Sequence, residues 1–150
     1  MKKGTLAIAL LLASCALAQH APAVFRGSWT ATAAPKQVFR GRWSAQALPD
    51  TQSAAHGSWT LLNNANQIVL EGTWSAQKSA RGWHGTWSAL ILQGRSSLGR
   101  PLSGTWQAQV EDFKGKTFED MLQRTLERQI AGSWRSGRLL GNWWLKGSAY

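Results

Sequence analysis

Beyond Cys15 the sequence contains no cysteine. A mature domain that starts at or after this residue has no disulfide, so its stability must come from packing. Once a leader ending past Cys15 is removed, no thiol nucleophile remains either. Acidic residues are scarce, with 7 Asp and Glu against 17 Lys and Arg, a formal charge of +10 at pH 7. That scarcity speaks against a catalytic carboxylate pair. Glu111 and Asp112 fall where a strand ends, and Glu119 and Asp120 suit the first turn of a helix. Of the 3 histidines, His20 lies in a polar spacer, while His56 and His84 sit outward on strands separated by one other. Two strand spacings are ~10 Å, too far for short side chains to share a metal. The glycines occur singly inside strands and form no phosphate-binding loop. These absences lead to the expectation of a non-enzymatic protein with no cofactor and no metal.

Tryptophan is present in excess, with 10 Trp against a single Tyr. Eight of them belong to one repeated unit, Gly-x-Trp, at 27–29, 41–43, 57–59, 72–74, 85–87, 104–106, 132–134 and 141–143. Alternate residues in each copy separate two faces, as a strand's period of two requires. Phe25, Gly27, Trp29 and Ala31 share one face, against Arg26, Ser28 and Thr30 on the other. Leu102, Gly104, Trp106 and Ala108 oppose Ser103, Thr105 and Gln107 in the same way. One face is apolar and the other almost wholly polar, the pattern of antiparallel strands with one buried side. The eight repeat tryptophans are accordingly expected to be buried and equivalent.

If each Trp lies opposite a Gly of the neighbouring strand, every indole covers a residue without a side chain. The midpoints of such pairings predict turns at Pro35, 49–50, 65–66, 79–80, 95–96 and 137–138. Ser136-Gly137-Arg138-Leu139 fits a two-residue hairpin with Gly first. Between the sixth and seventh copies, Thr117 and Asp120 form a helix-capping arrangement. Phe118, Met121, Leu122, Leu126 and Ile130 then recur at helical spacing, which predicts a helix over 118–129.

Such a helix is ~18 Å long, whereas eight strands side by side span ~34 Å. It cannot cover an open sheet. The expected fold is therefore all-β, an antiparallel up-and-down meander of about eight strands that closes into a barrel or a two-layer sandwich. The helix closes one end. Closure into a barrel requires stagger, so some strand pairs must slip by two residues from the uniform Trp–Gly register. The sequence does not say which.

The N-terminus reads as a processing segment. Lys2 and Lys3 precede a short apolar run over Thr5 to Ser14, too short for a bilayer span of ~20 residues. Ala16-Leu17-Ala18 fits ordinary signal peptidase cleavage and a leader of 1–18. Leu12-Ala13-Ser14-Cys15 fits a lipobox, a leader of 1–14 and acylation of Cys15. Both readings stay open, and both make the protein exported, either periplasmic or secreted, with a membrane anchor only if Cys15 is lipidated. The repeat domain covers 24–150. Its outward alternation lacks the sustained apolar face of a transmembrane barrel.

The Gly-x-Trp strand motif resembles that of the calycin group, the lipocalins and avidins, where it marks the first barrel strand. The resemblance implies an eight-stranded barrel with a cavity for a small apolar ligand, unless the eight indoles fill it. A carrier of this kind is one functional expectation. The other is an envelope-associated binding module. If the last strand meets the first, outward Arg26, Arg40, Arg42, Arg135 and Lys146 form one basic band with outward Trp144 at its edge. Such a band suits an anionic envelope polymer or lipid headgroups. Nucleic acid is not the polyanion expected for an exported protein.

Overall fold

The computed structural model describes residues 24–47, 53–80, 82–93, 99–109 and 117–148. Cys15, both leader boundaries, the 49–50 and 95–96 turn centres, and Glu111 and Asp112 lie outside the described residues.

Eight strands follow one another: β1 (Val24–Ala33), β2 (Gln37–Ala47), β3 (Ala54–Leu62), β4 (Ile68–Ser79), β5 (Gly82–Ile91), β6 (Pro101–Ala108), β7 (Ile130–Ser136) and β8 (Leu139–Gly147). One helix, α1 (Phe118–Glu127), stands between β6 and β7. Each strand pairs antiparallel with its neighbours in sequence, and β8 pairs with β1 to close a barrel.

The register alternates. Within β1–β2, β3–β4, β5–β6 and β7–β8, Trp faces Gly as expected: Trp29 with Gly41, Trp74 with Gly57, Trp106 with Gly85, and Trp134 with Gly141. Between these hairpins the pairing slips by two residues, so that Trp43 faces Trp59, Trp74 faces Trp87 and Trp106 faces Trp134. At the closing seam Gly27 faces Gly147 instead of Trp143, a slip of four. Three slips of two and one of four stagger the eight strands by ten residues. That stagger tilts the strands by roughly 40° to the barrel axis. The two-residue slips that closure demands thus fall between the hairpins, and the seam adds a larger one of four.

Turn chemistry punctuates the meander. Gly137 takes a positive φ of 58° at the first turn position between β7 and β8, where a side chain would be strained. Asn63 Oδ1 accepts from the backbone N–H of Ala65 and Gln67, both at 2.9 Å, and folds the β3–β4 connection. The β4–β5 pairing is centred one residue later than expected, because Ser79 pairs with Gly82.

α1 begins with a reciprocal cap. Thr117 Oγ1 accepts from the Asp120 N–H at 3.1 Å, and Asp120 Oδ2 accepts from the Thr117 N–H at 2.9 Å. The helix ends two residues before Gln129, since Arg128 is already extended and Ile130 starts β7. Its apolar face, Phe118, Met121 and Leu122, enters the core with Thr125. Lys146 Nζ donates to the carbonyls of Leu126 at 3.4 Å and Glu127 at 3.2 Å, a cation placed on the negative end of the helix. The helix thus closes the end at which β1, β3, β5 and β7 begin. The connections at 34–36, 63–67 and 137–138 ring the opposite end.

Candidate functional site: the barrel interior

The alternating register sorts the inward tryptophans into two girdles. In each hairpin the odd-strand Trp sits level with the even strand's Gly, two residues nearer the turn than the even-strand Trp. Trp29, Trp59, Trp87 and Trp134 therefore form one girdle toward the turns. Their rings meet edge to face at 5.6, 5.8 and 6.3 Å. Trp43, Trp74, Trp106 and Trp143 form the other, toward the helix, with edge contacts of 6.2 Å for Trp74–Trp106 and 5.9 Å for Trp106–Trp143. Such contacts contribute about 0.5 to 1.5 kcal/mol each beyond the area they bury. Phe118 of α1 seals the lower girdle, lying 5.8 Å from Trp74 and edge-on to Trp83 at 4.6 Å.

The glycines explain how the indole N–H groups are satisfied inside an apolar barrel. A Cβ added at Gly41 would strike the Thr60 carbonyl oxygen of β3 and the Trp29 ring. With no Cβ there, Trp29 Nε1 reaches across β2 and donates to that same Thr60 carbonyl at 3.0 Å. The pattern repeats: Trp74 passes Gly57 to reach Ser44 O at 3.1 Å, Trp106 passes Gly85 to reach Ser75 O at 2.9 Å, and Trp134 passes Gly141 to reach Thr32 O at 3.1 Å. Trp43 spans the closing seam to Lys146 O at 3.0 Å. Each of these rings ties three successive strands together. The missing Cβ makes this geometry at the two-residue slips and at the four-residue seam alike, because it leaves the third strand's carbonyl within reach of the ring. Among the described residues, two buried indole nitrogens, Trp59 Nε1 and Trp83 Nε1, have no hydrogen-bond partner.

The girdles do not fill the barrel. They leave a cavity of about 340 Å³, bordered toward the turns by Phe39, Leu61, Leu70, Leu102 and Leu139 and toward the helix by Met121 and Leu122. No charged side chain borders it among the described residues. Its one hydroxyl, Ser136 Oγ, already donates to the Ser103 carbonyl at 2.6 Å. The hollow also corrects the expectation of eight buried, equivalent tryptophans. Only Trp43 is buried, at 4% exposure, and the other seven are half-buried because they face open space. The more deeply buried ring is Trp83, at 1% exposure, which lies outside every Gly-x-Trp unit. Its sequence signal was its place two and four residues before Gly85 and Trp87, on the same inward face.

On the outer wall, closure sets Lys146 and Arg42 on either side of Ser28, and Trp144 and Arg40 on either side of Thr30. Arg26 follows on β1, beside Ser44. Arg135 stands apart, on β7 opposite Leu140, toward the turns. Two of these cations serve the fold itself: Lys146 caps α1, and Arg40 Nη2 donates to the carbonyls of Asn63 at 3.1 Å and Asn64 at 3.4 Å. Trp144 is half-buried on the outer wall. His56 pairs with Gln46 and Ser75, and His84 with Gln77 and Gln107, all neutral partners. No cluster of metal-ligating side chains occurs among the described residues. Comparison with protein-family models, curated proteins and solved structures finds no match to this chain.

Proposed function

We propose that the barrel takes up a small, uncharged apolar molecule among its tryptophans. The observation that carries this reading is the cavity of about 340 Å³ with an apolar lining of aromatic and aliphatic side chains. An apolar cavity of ~150 Å³ already accepts benzene, and it stays dry when empty. The space here suits a two- or three-ring aromatic or a short hydrocarbon chain. Chemistry follows from the lining. Six indole N–H groups are turned into the wall toward carbonyls of neighbouring strands, so the rings offer faces and edges to a guest and few hydrogen bonds. With no Lys or Arg in the lining, a carboxylate would lose its hydration without gaining a partner.

A titration tests it. Naphthalene, decane and decanoate would be added in turn while tryptophan emission and Tm are followed. Naphthalene or decane is expected to change emission and raise Tm, since a ligand at 100 times its Kd stabilises the folded state by ~2.7 kcal/mol. Decanoate is expected to do much less at neutral pH. No response to either neutral compound would remove the proposal.

A further inference from the structure

The turn end of the barrel carries a second surface, a rim around the mouth of the interior that shares Leu139 with the cavity border. Seven large apolar side chains are conspicuously exposed among the described residues, and six of them crowd this end: Val38, Ile68, Leu90, Leu92, Leu139 and Leu140. Val38 is 73% exposed, Leu139 58% and Leu140 57%. Isolated exposed apolar residues are ordinary, but six confined to one rim are not. Cations share the rim. Lys36 stands in the β1–β2 turn, Arg100 immediately precedes β6 and Arg138 lies in the β7–β8 turn, all exposed. The described acids are distributed the other way: Glu119, Asp120 and Glu127 belong to α1 at the far end, and only Glu71 lies in the turn-side half.

We infer that this rim docks on an anionic lipid bilayer. A soluble polyanion would engage the cations and leave the aliphatic tips in water. A bilayer surface takes both, the tips at the headgroup–acyl boundary and the cations against anionic headgroups. The wall limits the depth of entry. Ser44, Ser58, Thr73, Ser88 and Ser103 make an outward row of hydroxyls across β2 to β6, and the Ser44–Ser58 and Thr73–Ser88 pairs hydrogen-bond at 2.8 and 3.2 Å. Such a wall cannot face lipid tails, so only the rim enters. Docking in this pose sets the cavity's turn-side border against the source of apolar molecules and points the acidic helix away. It does not depend on whether a guest occupies the interior.

The test is co-sedimentation of residues 24–150 with vesicles rich in phosphatidylglycerol, against pure phosphatidylcholine vesicles. Three variants are compared, each checked for native tryptophan emission. Lys36→Glu/Arg100→Glu/Arg138→Glu is expected to lower partitioning more than 100-fold, at about fivefold for each cation neutralised near an anionic surface. Val38→Ser/Leu90→Ser/Leu140→Ser is expected to lower it at least tenfold, while Arg26→Gln/Arg42→Gln on the side wall changes it by less than the single-cation effect. Three results would overturn the inference. One is no binding to phosphatidylglycerol vesicles. Another is full binding by the serine variant, as for capture of a soluble polyanion. The third is a loss on the side-wall variant as large as on the rim variants.

Discussion

In each Gly-x-Trp unit the two defining residues act on different neighbours: the glycine lets a ring from the adjacent strand lie over it, and the tryptophan lies over a glycine elsewhere. Gly41 is needed for the space above it, since its φ lies in no special region. Gly41→Ala must displace either the Thr60 carbonyl or the Trp29 ring, and is expected to cost about 2 to 4 kcal/mol. Gly137→Ala meets nothing nearby and carries only the cost of a positive φ, about 1 kcal/mol. Urea midpoints of the two variants check this, and equal losses would show that the indole bridge contributes nothing. Trp74→Phe, which orphans the Ser44 carbonyl from its indole donor, is expected to lose a further ~1 to 3 kcal/mol. Inward and outward faces were readable from alternation alone. Trp83 was passed over because repetition drew attention to the unit, while its burial depends on Phe118, a partner far along the chain.

Hairpins and the helix were legible as elements, because each is specified by nearby residues: Gly137 for one turn, Thr117 and Asp120 for the cap. The slips between hairpins were not legible. Gly-x-Trp aligns with any other copy equally well, and the choice between Trp43 facing Gly57 and facing Trp59 is made by the demand for stagger around the whole ring. Thr117→Ala removes the side-chain half of the cap and should cost about 1 kcal/mol. Amide exchange in the first turn of α1 should quicken before the strands unfold. Because Phe118 sits next to that cap and touches Trp74, the same variant should alter indole emission. An emission spectrum identical to wild type, with faster exchange, would separate the cap from the seal over the lower girdle.

Closure was legible at the scale of the molecule, from the mismatch between one short helix and eight strands. The hollow was not, since alternation says which side chains point inward but nothing of the volume they enclose. Deleting residues 139–150 would remove β8, expose the edges of β1 and β7, and strip Trp43 of its carbonyl partner at Lys146. Exposed edges of that kind pair with other molecules, so the truncated chain is expected to aggregate and to lose the near-ultraviolet circular dichroism of its packed rings. A soluble truncated chain with native-like near-ultraviolet signal would show that seven strands suffice.

The described chain enters through β1 and leaves through β8 at the same end, where the Ser148 N–H donates to the Arg26 carbonyl at 2.9 Å. These two strands share the seam that closes the barrel, from Gly27 opposite Gly147 to Ala31 opposite Trp143. A force applied through the two ends therefore acts on that seam like a zip, loading one rung at a time. Pulling instead between Arg26 and a residue at the turn end of β8 would load all the rungs of the seam together. Held by its ends in a force spectrometer, the barrel is expected to open at low force; held across the seam, it is expected to resist.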